Sequence, residues 1–96
     1  MGRKSWKLRF FVLQGDSFSY YESAKADKPI KQIKLHKSDT VEPWSEAPAH
    51  PYGFKLCTFK RNLVVAVKTE KAQKKWMERL KISFRDSPEY TLAEKQ

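Results

Sequence analysis

The residues best placed to do chemistry lie close together, between Lys4 and Leu13 (KSWKLRFFVL). Side chains alternate along a strand, so Lys7, Arg9, Phe11 and Leu13 share one face. That face is basic at its start and apolar at its end. A strand that lines a core and runs out to its mouth has this pattern, and it directs Lys7 and Arg9 into a concave, partly desolvated rim. The chemistry that suits such a rim is anion capture: arginine offers a planar fork for phosphate oxygens and lysine a compact positive charge. Gly2-Arg3-Lys4 adds basic reach from the preceding loop. Taken alone, the same alternation also fits surface charges on an edge strand, which discourage edge-to-edge pairing.

Other reactive residue types are scattered. His36 and His50 are separated by loop-like sequence, and Cys57 sits in an alternating stretch with no paired base nearby. One cysteine and two distant histidines do not have the spacing of a zinc site. The three glycines are not arranged as a phosphate-cradling loop, and Asp16 and Asp39 read as turn residues rather than a carboxylate pair. These residue types give no support for an enzyme, a metal site or a cofactor.

The whole chain sets the partners. It has 96 residues, enough for one domain, and a net charge of +9. With a pI near 9.8, the surface is drawn to polyanions, meaning nucleic acid or the anionic cytoplasmic leaflet. A solvated basic surface has the same charge, so patterning must decide. No apolar run approaches the roughly 20 residues of a membrane-spanning helix, and no secretory signal is visible. Cys57 is the only cysteine, so no intramolecular disulfide forms; that fits a reducing compartment. The aromatic residues fit core positions, and no Lys/Arg-Gly-Phe/Tyr run typical of an RNA-recognition module occurs, which argues against nucleic acid.

These residues need elements to position them. Trp6–Gln14 reads as a strand, Gly15-Asp16-Ser17 as a turn and Phe18–Glu22 as a second strand, making a hairpin. Ser23–Pro29 is a polar loop. Lys31–His36 alternates, with Ile33 and Leu35 on one face. Thr40 and Val41 can open a short strand, and Glu42–Gly53, with Pro43, Pro48 and Pro51, reads as a loop. Phe54–Phe59 and Leu63–Val67 form a second hairpin around Lys60-Arg61-Asn62. Thr69 is an N-cap with Glu70 in the first helical turn. The helix runs from about Glu70 to Phe84, with Ala72, Trp76 and Leu80 as its apolar stripe and Ile82 off that face. Residues 1–86 are expected as the domain and 87–96 as a tail, either a short helix starting at Pro88 or frayed.

In this order, the segments resemble a pleckstrin-homology (PH) domain. Trp6-Lys7-Leu8-Arg9-Phe10-Phe11-Val12-Leu13 after a basic loop is similar to the family's second strand, and Ser19-Tyr20-Tyr21 to the end of its third. Ile33-x-Leu35 with Val41, Phe54-x-Leu56, Leu63–Val67 and the helix with central Trp76 complete the match over roughly Gly2–Phe84. The resemblance implies an α+β, mostly β fold: a bent antiparallel sandwich or barrel of about six strands here, capped by one C-terminal amphipathic helix.

The family begins with a Gly-x-Leu-x-Lys strand before this loop, and this chain starts inside or just before the loop. The first strand is therefore expected to be missing: removed from this chain, supplied by another chain, or replaced by strand pairing in a dimer. The resemblance further implies phosphoinositide or anionic-membrane binding and recruitment of a larger signalling protein to the cytoplasmic leaflet. The site residues would be Lys4, Lys7, Arg9, Tyr20 and Lys31, supported by Arg3 and Lys28. The alternative is a protein-interaction or autoregulatory module, whole or as half of a split domain, with little specific lipid binding. Either places the protein in the cytoplasm, peripheral at the plasma membrane or an endomembrane.

Overall fold

The computed structural model of the chain describes residues 6–86. Its elements are β1 (Phe10–Gln14), β2 (Ser17–Tyr21), β3 (Lys31–Lys34), β4 (Thr40–Glu46), β5 (His50–Cys57), β6 (Asn62–Val67) and α1 (Glu70–Asp86). They form two three-stranded antiparallel sheets, ordered β1-β2-β3 and β4-β5-β6. The β1–β2 hairpin closes at Gly15, whose φ of 61° is a conformation that glycine adopts without steric cost. The turn is tied to the end of β3: the Leu35 N–H donates to the Asp16 carbonyl at 2.7 Å, and Lys34 pairs with the Asp16 carboxylate at 3.4 Å.

The core follows from strand alternation. Leu13 pairs with Phe18 and Phe18 with Ile33, so these side chains share the inner face of the first sheet. Val41 pairs with Leu56, and Phe54 with Val65, on the inner face of the second. Phe18, Ile33, Leu35, Val41, Phe54, Leu56 and Val65 are buried together with Leu80 and Phe84 of the helix. The Phe18 ring meets Phe54 and Trp76 at centroid distances of 6.5 and 5.7 Å, joining both sheets and the helix. The helix starts where its cap allows: Thr69 Oγ1 accepts from the Ala72 N–H at 3.0 Å, a cap of about 1 kcal/mol. Along α1, Leu80 and Phe84 are buried, Trp76 and Met77 pack against the core, and Ile82 stays 43% exposed.

Three strand assignments need correction. The first strand starts at Phe10, not Trp6. Phe10–Tyr21 is the last β1–β2 pair, and no strand flanks the other side of β1 among the described residues. Without a ladder on either side, Trp6–Arg9 leave the strand. Trp6 instead packs 5.6 Å from Trp44 and 4.6 Å from His50, and its indole N–H donates to Glu46 at 3.2 Å.

The stretch Glu42–Gly53 is not a loop. It forms most of β4 and the start of β5, joined by a turn containing a cis Ala47-Pro48 bond. Prolines are tolerated there because β4 is an edge strand, so Pro43 needs no second ladder, and Pro51 lies beyond Tyr52–Val67, the last β5–β6 pair. Finally, β5 ends at Cys57, and the turn is Thr58–Arg61 rather than Lys60–Asn62. Thr58 makes the difference: its hydroxyl donates to the Arg61 carbonyl at 2.7 Å and accepts from the Arg61 N–H at 3.1 Å. These local bonds compete with the ladder.

Candidate ligand-binding cleft

The unpaired edges of β1 and β6 face each other across an open cleft of about 860 Å³. Arg9, Phe11 and Tyr20 line one side, Leu63, Val65 and Val67 the other, and Phe54 and Trp76 the floor. The cleft is mostly apolar because each sheet ends there with core-facing side chains that nothing else covers. Lys7, Arg9 and Lys68 are the charged residues on its lining, and no carboxylate is among the lining residues. An anion entering the cleft therefore meets cations without having to displace a built-in acidic partner.

Each sequence-predicted site residue has a definite place. Lys7 and Arg9 stand on the segment leading into β1; Lys7 is exposed and Arg9 half-buried. The Arg9 guanidinium donates to the Leu8 carbonyl at 3.1 Å, which leaves most of its donors available. Tyr20 is half-buried on β2, in register between Phe11 and Lys31, with its ring 5.3 Å from that of Phe11. The structure brings Lys7, Arg9 and Tyr20 onto one cleft.

Lys31 does not line it. Although it neighbours Tyr20 across the sheet, Lys31 lines an adjoining groove between β3 and the Thr58–Arg61 turn. Lys28 is exposed in the β2–β3 loop and lines neither cavity. Lys4 and Arg3 lie outside the described residues, as does the 87–96 tail. Lys68 lines the cleft without any signal of a site residue in the sequence. Lys68 follows the apolar Leu63–Val67 run as an ordinary surface lysine, and only the fold sets it on the cleft.

Among the described residues, no group of acidic, histidine or cysteine side chains could hold a metal ion, and no helix is long and apolar enough to cross a membrane. Comparison with known proteins agrees with the architecture. Residues 1–85 match the family model described as PH domain. A RAC family serine/threonine-protein kinase homolog of Dictyostelium discoideum is 34% identical over 77 residues, covering 80% of this chain and 17% of that protein. A PH domain-containing protein of the same organism is 30% identical over 79 residues, 81% of this chain and 17% of that protein. The chain thus spans about a sixth of the length of these relatives. With two antiparallel sheets, a C-terminal helix carrying a central tryptophan and a family match across nearly the whole sequence, the chain belongs to the pleckstrin-homology domain family.

Proposed function

We propose that this PH module binds the headgroup of a phosphoinositide and so recruits a larger signalling protein to the anionic cytoplasmic face of a membrane. The observation that supports this most is the cleft lining, which combines Lys7, Arg9 and Lys68 with no carboxylate. In this reading Lys7 and Arg9 take neighbouring ring phosphates, and the Tyr20 hydroxyl donates a hydrogen bond to one of them. Lys4 and Arg3 close over the headgroup from the loop, and Lys31 and Lys28 contribute charge from the β3 side. The net charge of +9 adds diffuse attraction of about 1 kcal/mol for each basic residue near the surface.

Calorimetry with soluble inositol phosphates tests the site. Charge-assisted hydrogen bonds contribute about 1.5–3 kcal/mol each, so Arg9→Ala is expected to weaken binding roughly tenfold to a hundredfold. Unchanged affinity in that variant would remove the cleft from consideration. A salt titration separates a bound headgroup from diffuse attraction, which collapses at high ionic strength.

One observation favours a second reading, a protein-interaction or autoregulatory module. The cleft is flanked by two strand edges with no ladder partner among the described residues, and such edges accept an added strand from a protein partner or from a second copy. One relative bears the name of a protein kinase, and a module beside a catalytic domain is a natural regulator. If a second copy fills the cleft, sedimentation should show concentration-dependent dimers, and amide exchange at Phe10–Gln14 and Asn62–Val67 should slow as they form. A monomer at all concentrations would eliminate self-pairing.

A further inference from the structure

Two of the cleft's cations are carried on a segment that no sheet holds. Lys7, Leu8 and Arg9 lie outside the ladders of the described residues. Lys7 and Leu8 are exposed, and the hydrogen bond that the Arg9 guanidinium makes, to the Leu8 carbonyl at 3.1 Å, stays inside the segment. The segment is fixed at its two ends. Phe10 pairs with Tyr21 in the first sheet, and Trp6 is seated on the second, against the hairpin between β4 and β5. It is therefore a strap from one sheet to the other, bordering the cleft, with Lys7 and Arg9 on its span.

The hairpin is shaped to receive the Trp6 ring. Trp44 pairs with Gly53, and its ring lies so close that a Cβ on Gly53 would stand 3.3 Å from it. The register then shifts between Trp44 and Glu46, an irregularity of the kind that re-aims side chains. Glu46 next pairs with His50. Trp44, Glu46 and His50 thus reach Trp6 together. The two rings stand at centroid distances of 5.6 and 4.6 Å, and the carboxylate accepts the indole N–H at 3.2 Å. Those contacts fix both the place and the rotation of the indole. Trp6 itself is 37% exposed and is not part of the buried core.

We propose that Trp6 is a positioning residue for the headgroup site, and that the β4–β5 hairpin tip, acting through Trp6, sets the affinity of the cleft for phosphates. The inference rests on the headgroup reading above. Its physical basis is preorganisation. Fixing a residue's backbone costs conformational freedom, and a strap clamped at Trp6 meets that cost on folding rather than on binding. With the clamp gone, Lys7 and Arg9 hang from Phe10 alone and the ligand has to order them. Direct stacking of Trp6 on the ligand is disfavoured, because the ring is occupied by Trp44 and His50 and its N–H by Glu46.

Calorimetry with inositol hexakisphosphate, alongside thermal unfolding, tests the clamp. Trp6→Ala is expected to weaken binding roughly tenfold, the order of re-fixing one residue. Trp6→Phe keeps a ring against Trp44 and His50 and should recover most of that loss. His50→Ala alters only the hairpin side and should weaken binding about threefold, as the loss of one ring contact does; it carries the comparison if Trp6→Ala fails to fold. The deciding readout is coupling. In an Arg9→Ala background the effect of Trp6→Ala should shrink to about threefold, since only Lys7 remains to be positioned, while its effect on the unfolding midpoint stays the same. A tenfold loss that persists undiminished in that background would overturn the proposal, by making Trp6 a ligand contact or a general support of the fold. Trp6→Ala and His50→Ala proteins that bind as the wild type does, with Arg9→Ala impaired, would overturn it and leave the headgroup cleft standing. Unchanged binding in Arg9→Ala would remove the headgroup reading and the clamp with it.

Discussion

Phe18→Ala is expected to destabilise the protein by about 3–5 kcal/mol, a large part of the roughly 5–15 kcal/mol that holds a typical domain folded. Phe18 is fully buried. Its ring stacks on Phe11 at 5.4 Å, meets Phe54 across the sandwich and takes an edge-on contact from Trp76 of the helix. Truncation leaves a void bounded by both sheets and α1, and none of the three can close it without giving up other contacts. The cleft beside β1 and β6 adds to the effect, because the first sheet has no further strand there to stiffen it. Urea denaturation should show the midpoint falling by at least about 1 M. Phe18→Leu, which keeps most of the volume, should cost under about 1.5 kcal/mol. Similar losses in both variants would mean that the aromatic ring itself, rather than the volume it fills, joins the sheets.

Gly53→Ala is expected to cost about 1–3 kcal/mol or more, as overpacking does, although the change adds a single methyl group. Gly53 lies within β5, between Trp44 and Ala66 in the ladder. A Cβ there would stand 2.5 Å from the Val65 carbonyl oxygen and 3.3 Å from both the Ala66 Cα and the Trp44 ring. The first contact is with backbone, so relief requires β5 and β6 to separate. The same residue's carbonyl accepts the Gln73 side-chain N–H at 2.6 Å, so displacing β5 also disturbs the anchor of α1. Gln73→Ala removes the hydrogen bond without the clash and should cost only about 1 kcal/mol. Thermal unfolding of the two variants compares the effects directly; a Gly53→Ala protein as stable as wild type would show that the strands yield there freely.

These two positions show how unevenly the fold was legible. Phe18 was readable: it lies in an aromatic stretch just after a Gly-Asp turn, and short-range alternation assigns it to a strand. Gly53 was not. Counted with Pro43, Pro48 and Pro51, it marked the end of a loop, because composition does not reveal that β4 is an edge strand able to take a proline. The same limit applies to Trp6. Its aromatic and branched neighbours resemble a strand, but a strand exists only where a partner offers its backbone, and among the described residues none pairs with Trp6–Arg9.

The candidate site divides in the same way. The switch from basic to apolar along Lys7, Arg9, Phe11 and Leu13 was legible as a period-two pattern, but only Phe11 and Leu13 lie in β1; Lys7 and Arg9 precede it and, with Phe11, line the cleft. Tyr20 followed as a strand residue from its position in the hairpin. Lys31 and Lys68 were beyond such reasoning. Which cavity each residue lines depends on how the sheets meet, and that set Lys31 on the groove by the β5–β6 turn and Lys68 on the cleft. Phe59 looked like the last residue of an alternating strand until the Thr58 hydroxyl ended the ladder and exposed the ring.

By itself the sequence determined the family, the charge, the helix with its Thr69 cap, and most strands, since these depend on composition and on contacts between residues close in the chain. The tertiary structure alone decided which strand edges stay open, which cations face the same space and which aromatic ring is left outside, because those outcomes depend on the packing of segments far apart in sequence.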